Sequence, residues 1–326
     1  MEATTIDHAA SRLAAILNGA GGLLGDAVNH SDLVFEPAVD LHPLSRAAAS
    51  PAEVWAVDGG QALVADARCL QVVVTRAARV CWRNGVSVLE EEGDLHAHVL
   101  GCGEERAAIA ARGLPIGPDT AIDLNLLRDW AEWQAVERCL ADADPGSLVL
   151  IDGDLQPDWR IPSVHLAGLL ERAASGGLTM AGVTKHSSLH RGGAPLLGLL
   201  ERQAEATLGA RAMWWTKVAT TRPDAGPGLQ VLVARLDPDA RFSFRVDLPE
   251  GTDPEGALGA ISAVADDAAF PGYPYPLSVA DRLAACPSWL REEVWSELDE
   301  SFDRLGVPLD VRERAFTDRH RLMERA

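Results

Sequence analysis

Two segments of this chain share a form that suits metal chemistry. Val54–Gly60 reads VWAVDGG and Leu148–Leu155 reads LVLIDGDL. In each, a short apolar run of strand type ends at an aspartate followed by glycine. A carboxylate at a strand end sits where open α/β sheets collect ligands, and the adjacent glycine lets a ligand approach the backbone. One such segment by itself reads more readily as a strand closing into a turn. Two in one chain, with a helix between them, make Asp58 and Asp152 candidate metal-binding carboxylates. Hard cations such as Mg²⁺ or Mn²⁺ take oxygen ligands, and two-metal phosphoryl chemistry needs further carboxylates. Glu132 and Glu137, on the intervening helix, are the candidates. They lie five residues apart, about 140° around a helix, so only one of them can face the site.

The elements that must position these groups follow from the pattern. An interrupted amphipathic helix is predicted over 7–29 and a proline-punctuated loop over 30–52. Strands are predicted at 54–57, 70–75, 79–84 and 86–92, which together make an antiparallel meander. Helical spacing then covers 121–141, ended by Asp144-Pro145-Gly146 ahead of the strand 148–151. Beyond it come a helix at 163–174, a strand at 178–184 and a helix at 195–207. Strands at 213–220, 229–236 and 241–247 follow, then helices at 253–267, 277–285 and from 289 onward. Antiparallel strands followed by alternating strands and helices imply an α/β fold around a mixed sheet. The chain divides into an N-terminal helical or dimerisation extension (1–50), a main domain (51–288) and a C-terminal helical extension (289–326).

Composition sets the boundaries of function. Of 326 residues, 47% are hydrophobic and 24% charged, as expected of a globular protein. No apolar run reaches the ~20 residues of a membrane span, and the N-terminus has no signal-peptide pattern. Cytoplasmic location is the default expectation. Five cysteines, scattered and without a Cys-x-x-Cys pair, argue against a disulfide framework or a cysteine zinc site. The net charge of −19 repels phosphate over most of the surface, so nucleic acid would need a local basic groove or delivery by a partner. Lysine is scarce, with Lys185 and Lys217 the two among 29 basic residues.

Taken in order, these motifs resemble the NurA family of 5′-to-3′ nucleases. Asp58-Gly59, Arg128-x-x-x-Glu132 and Leu150-Ile151-Asp152-Gly153-Asp154-Leu155 carry the first part of the likeness. Gly182–Ser187 (GVTKHS) and Phe270–Leu277 (FPGYPYPL) carry the rest. The resemblance implies a ribonuclease H-like mixed sheet flanked by helices, with extra N- and C-terminal helices. It implies Asp58, Glu132 and Asp152 as ligands of two Mn²⁺ or Mg²⁺ ions, Lys185 as a phosphate contact, and Tyr273 orienting DNA or a water. It further implies a homodimer partnered by a HerA-type hexameric ATPase that feeds DNA to the nuclease, in end resection, repair or phage defence. The chain departs from the family at three places. Gly60 and Asp154 stand where serine is usual, and Asp281 where histidine is common. Asp281 is therefore a further candidate ligand or base, and Asp154 adds charge beside the site. Two rival readings follow: a non-catalytic regulatory subunit of the ATPase complex, and an actin-like-fold ATPase or kinase, which also uses paired Asp-Gly segments.

Other signals read as structural. His96-Ala97-His98 reads as exposed, solvated histidines, and His186 with His190 as part of a loop. Trp130, Trp133 and Trp214-Trp215 read as core or interface packing more readily than as base-stacking groups. No Walker phosphate loop, dinucleotide fingerprint, His-Glu-x-x-His helix or Gly-x-Ser-x-Gly elbow occurs.

Overall fold

The computed structural model describes residues 5–19, 32–48, 50–103, 105–114, 116–156, 158–222, 227–317 and 323. Helix α1 (Thr5–Gly19) is followed by short strands β1 (Leu33–Phe35) and β2 (His42–Pro43). A meander comes next: β3 (Glu53–Asp66), β4 (Gln71–Arg83), β5 (Val86–Glu92) and β6 (His96–Leu100). Helices α2 (Glu105–Ala111) and α3 (Leu124–Asp142) lead into β7 (Leu148–Asp152), α4 (Ser163–Ser175) and β8 (Thr179–Thr184). The small pair β9 (His190–Arg191) and β10 (Ala194–Pro195) precedes α5 (Leu196–Leu208). Strands β11 (Trp214–Thr221), β12 (Leu229–Arg235) and β13 (Phe244–Pro249) complete the main sheet. The chain closes with α6 (Pro254–Ser262), α7 (Tyr275–Ala284), α8 (Ser288–Arg304) and α9 (Leu309–Phe316).

The main sheet runs β1-β11-β12-β13-β8-β7-β3-β4-β5, with β2 joined to β11 and β6 to β4. Only β3·β7 and β7·β8 are parallel among these pairs. The block β5-β4-β3-β7-β8 holds the third, second, first, fourth and fifth strands of the core in chain order. An antiparallel meander followed by two parallel strands in that order is the ribonuclease H-like arrangement, extended here by an antiparallel β11–β13 sheet.

Period-two alternation sorts the central strands between two cores. Trp55, Val57, Val149 and Ile151 pack beneath α3 and α4 with Leu126, Trp130, Trp133 and Leu169. Val54, Ala56, Leu148, Leu150, Ala181 and Val183 face the other way, against Leu258, Ile261, Leu277 and Ala280 of α6 and α7. Even-numbered positions of β3 and β7 therefore look toward α7 and odd-numbered ones toward α3.

Three expectations change in the folded chain. Predicted strands 70–75 and 79–84 are one continuous strand, β4, because Arg76–Ala78 stay paired with Asp58–Gly60 of β3. The predicted loop over 30–52 contains β1 and β2, which pair with β11, so residues 33–35 and 42–43 belong to the sheet. The remainder of the helix predicted over 7–29, from residue 20, lies outside the described residues. Most important, Asp58 does not end a strand. β3 runs on through Gly59 and Gly60 to Asp66, held by β4. What ends there is the parallel pairing with β7, whose last partners are Val57 and Ile151. At Gly153, with φ of 125°, the chain leaves β7 in a conformation that favours glycine, and the sheet forks beside Asp58.

Candidate functional site

Position parity brings the acidic groups together. Asp58 and Asp152 continue the even-numbered rows of β3 and β7, so both point to the α7 side. Helix α7 crosses that side and supplies Asp281. Carboxylate oxygens of Asp58, Asp152 and Asp281 all lie within 4.8 Å of one another. Lys185, one residue past β8, places Nζ 2.5 Å from Asp152 Oδ2 and 2.7 Å from Asp281 Oδ1. Its ammonium also lies 5.0 Å from the centre of the Tyr273 ring. Tyr273 precedes α7 and is buried, and its hydroxyl meets no well-placed hydrogen-bond partner. A buried hydroxyl left open toward Asp152 is one that a bound ion, water or phosphate could satisfy.

The electrostatics are those of a strained anionic cluster. Burial raises the Asp58 pKa far above the usual carboxylate range, and the neighbouring Asp152 and Glu132 add to it, against a lowering by Lys185. Tyr273 is raised by burial and then by Asp152 and Asp58, which keeps its proton in place. Burial works against the charge on Lys185, but its bonds to Asp152 and Asp281 outweigh that and raise its pKa. The donor set consists of hard carboxylate oxygens converging on one point, and a divalent cation would relieve their repulsion. Magnesium or manganese fits such a set better than zinc or copper.

Glu132 comes from the other face. Its side chain lies against Gly59, where any Cβ would overlap the Glu132 carboxylate. Gly59 thus opens a window in β3 through which Glu132 approaches Asp58. Burial pushes the Glu132 pKa up to about 8, with Arg128 opposing. Arg128 lies 3.4 Å from it, one helical turn back. Glu137 is turned away and pairs with Arg172 at 2.9 Å. Of the two helix carboxylates, Glu132 is the one beside the site. The close trio is nevertheless Asp58, Asp152 and Asp281, a set that sequence reasoning reached only by noting Asp281 as a departure.

The two other departures have local causes. Gly60 faces the C-terminal end of α7, and a Cβ there would overlap the carbonyl oxygen of Ala284. A serine is excluded by the close crossing of α7 over β3. Asp154 turns away from the cluster and meets Arg245 at 3.2 Å. Arg245 also makes two 2.8 Å bonds to the fully buried Asp247. Asp247 in turn accepts the Leu155 N–H at 3.2 Å. Asp154 is raised to about 6 by burial, with Arg245 opposing. This triad pins the segment after Asp152, which also lies so close to β8 that a Cβ on Gly182 would come within 2.6 Å of the Gly153 carbonyl. Replacing Asp247 by Ala leaves the buried Arg245 with Asp154 as its remaining acidic partner, and a loss of about 3 kcal/mol is expected from urea unfolding. An unchanged unfolding midpoint would show that the triad does not hold this loop.

Residues read as structural fall as follows. Trp130, Trp133 and Trp214 are buried in the core. The His96–His98 segment is strand β6, paired with β4, in which His96 is exposed and His98 half-buried. His98 Nε2 lies 3.1 Å from Thr75 Oγ1, and burial lowers its pKa to about 4. His186 is exposed, while His190 pairs through β9 with β10. No helix among the described residues is long and apolar enough to cross a membrane.

By sequence, no protein family and no curated protein matches the chain. By structure, it is similar to the NurA nuclease from Sulfolobus solfataricus, with a TM-score of 0.60 at 15% identity over 92% of this chain and 95% of that one. A second NurA crystal structure aligns at a TM-score of 0.49 and 9% identity, over 74% of this chain and 86% of that one. Human endonuclease V aligns at 0.40 and 15% identity, over 75% and 86% of the two chains. At these identities the likeness speaks for architecture, and the first comparison covers nearly the whole of both chains. The resemblance read from ordered motifs is thus matched in three dimensions: the chain has the fold of the NurA nuclease.

Proposed function

We propose that the protein is a divalent-metal-dependent deoxyribonuclease of the NurA type. The observation that carries this reading is the convergence of Asp58, Asp152 and Asp281 on one face of the sheet, within 4.8 Å. These residues would hold Mn²⁺ or Mg²⁺, with Glu132 behind Gly59 as the nearest further carboxylate. The ion supplies an activated water and stabilises charge on the phosphate. Lys185 offsets part of the cluster's negative charge and would contact a phosphate oxygen as a point charge. Tyr273 presents a protonated hydroxyl to the same space. We place this chemistry in residues 51–288, with 1–50 as an extension that adds β1 and β2 to the sheet and would serve self-association, and 289–326 as a C-terminal helical extension. A homodimer in the cytoplasm, fed by a HerA-type hexameric ATPase, agrees with the charge of −19, because the motor would then supply most of the grip on DNA.

The test is to incubate the protein with labelled single- and double-stranded DNA and Mn²⁺ or Mg²⁺, with and without its cognate ATPase. Metal-dependent cleavage is the expected result, and EDTA should abolish it. DNA left intact under every condition, with the ATPase still stimulated, would favour the regulatory-subunit reading. Saturable ATP binding by the isolated protein would favour the actin-like one.

A further inference from the structure

Where β3 and α7 begin, away from the acidic cluster, lies a groove that the proposed chemistry does not use. Its apolar walls are Pro51, Val54, Trp82, Val264, Tyr275 and Pro276. Trp82 and Tyr275 meet edge to face, with ring centres 5.1 Å apart. These walls are fixed by the backbone. Trp82 pairs with Val54 across β4 and β3, and the Tyr275 N–H donates to the Val264 carbonyl at 2.8 Å. Ser50 Oγ ties the segment before β3 to the Ala263 carbonyl at 3.3 Å. Tyr275 is 38% exposed, whereas the Trp82 indole N–H is buried and meets no acceptor. Asp266 and Asp267 also line the groove. Asp266 meets Arg46 at 3.4 Å. Asp267 accepts the Ala269 N–H at 3.0 Å and, among the described residues, pairs with no cation. The groove holds about 280 Å³, below the ~300–1,000 Å³ of sites that enclose a small molecule, so it suits a ligand lying along the surface.

We infer that this groove binds a proline-rich peptide segment of a partner protein, one that carries an arginine. The inference is independent of the nuclease reading. A polyproline chain makes no internal hydrogen bonds, so its carbonyls are free to accept. One of them would satisfy the Trp82 N–H, which an apolar ligand would leave without a partner. Proline rings pack well in an aromatic notch such as that between Trp82 and Tyr275, and their preset backbone loses little entropy on binding. A guanidinium beside Asp266 and Asp267 would find carboxylates for paired, charge-assisted bonds. The net charge of −19 also draws a cationic segment toward the surface.

The experiment measures, by fluorescence anisotropy, the Kd of the full-length protein for a labelled peptide of about ten prolines with an arginine at each end. A control peptide of equal length and charge has glycine and serine in place of proline. The wild type should prefer the proline peptide. Tyr275→Ala should weaken that binding by roughly fivefold or more, and Trp82→Phe, which removes the N–H, by roughly 2- to 10-fold. Asp266→Asn combined with Asp267→Asn should cost about 2- to 5-fold and flatten the salt dependence. Thermal unfolding of each variant shows that it remains folded at the temperature of the binding assay. No binding of the proline peptide by the wild type would overturn the inference. Equal affinity for the control peptide would do so too, since it would mean attraction by charge alone. Wild-type affinity in folded Tyr275→Ala and Trp82→Phe would place the peptide elsewhere and equally overturn it.

Discussion

Asp58→Asn is expected to stabilise the metal-free protein while lowering metal-dependent cleavage by about a thousandfold or more. Burial and the nearby Asp152 and Glu132 raise the folded-state pKa of Asp58 far above its ordinary value of 3.8. Above pH ~4 the folded state thus retains a proton that the unfolded chain releases, so stability falls as pH rises through the neutral range. Glu132, raised to about 8, acts in the same direction between its ordinary pKa and pH 8. An amide at position 58 has no charge to bury, so thermal unfolding should be flatter with pH and higher at pH 8. The same substitution removes an anionic oxygen ligand from the trio, and with it most of the metal affinity. Wild type should gain thermal stability on adding Mn²⁺, by mass action, and Asp58→Asn should gain little. A variant that cleaves DNA like wild type, or that unfolds more readily than wild type at pH 8 without metal, would refute this account of the cluster.

Gly60→Ser should cost about 3 kcal/mol or more, although serine is the residue that the NurA resemblance leads one to expect there. The new Cβ would overlap the Ala284 carbonyl, which is backbone at the end of α7 and cannot rotate away. Relief requires α7 to lift from β3, and α7 carries Asp281. Overpacking of this kind costs about 1–3 kcal/mol when side chains can yield, and more when they cannot. Urea unfolding reads the loss directly. Loss of Mn²⁺ binding at temperatures where the variant remains folded would show that the α7 crossing sets the trio. A Gly60→Ser protein with an unaltered urea midpoint would mean that this crossing is looser than its contacts indicate.

The two predictions share a cause that shows how far the sequence could be read. Asp58 and Asp152 were legible because an apolar strand run followed by Asp-Gly is a local pattern, and its repetition is visible along one dimension. The meander, the α3 helix and the β7–α4–β8 unit were legible for the same reason, since strand and helix periods are written in neighbouring residues. The continuity of β3 past Asp58 was not legible, because two glycines in a row read as a turn unless a partner strand holds them extended. That partner, β4, contributes Arg76–Ala78, residues whose pairing has no signature in the β3 segment itself.

The carboxylates mark the same division. The amino-acid order by itself determined that Asp58 and Asp152 each follow an apolar strand run, while the parallel register that pairs Val57 with Ile151 put the two on one sheet face. The order also placed Glu132 on the intervening helix, ahead of Glu137 as the residue matching the family motif. Only the tertiary structure decided that Glu132 looks through the Gly59 window from the far side while Asp281 completes the close trio. Asp281 sits on an ordinary amphipathic helix, and nothing within four residues of it distinguishes a ligand from a solvated charge. Its role depends on how closely α7 crosses β3, a distance set by Gly60 and Ala284, which lie 224 positions apart in the chain. Local pattern fixes the face a side chain takes, whereas which faces meet is decided by packing between distant segments.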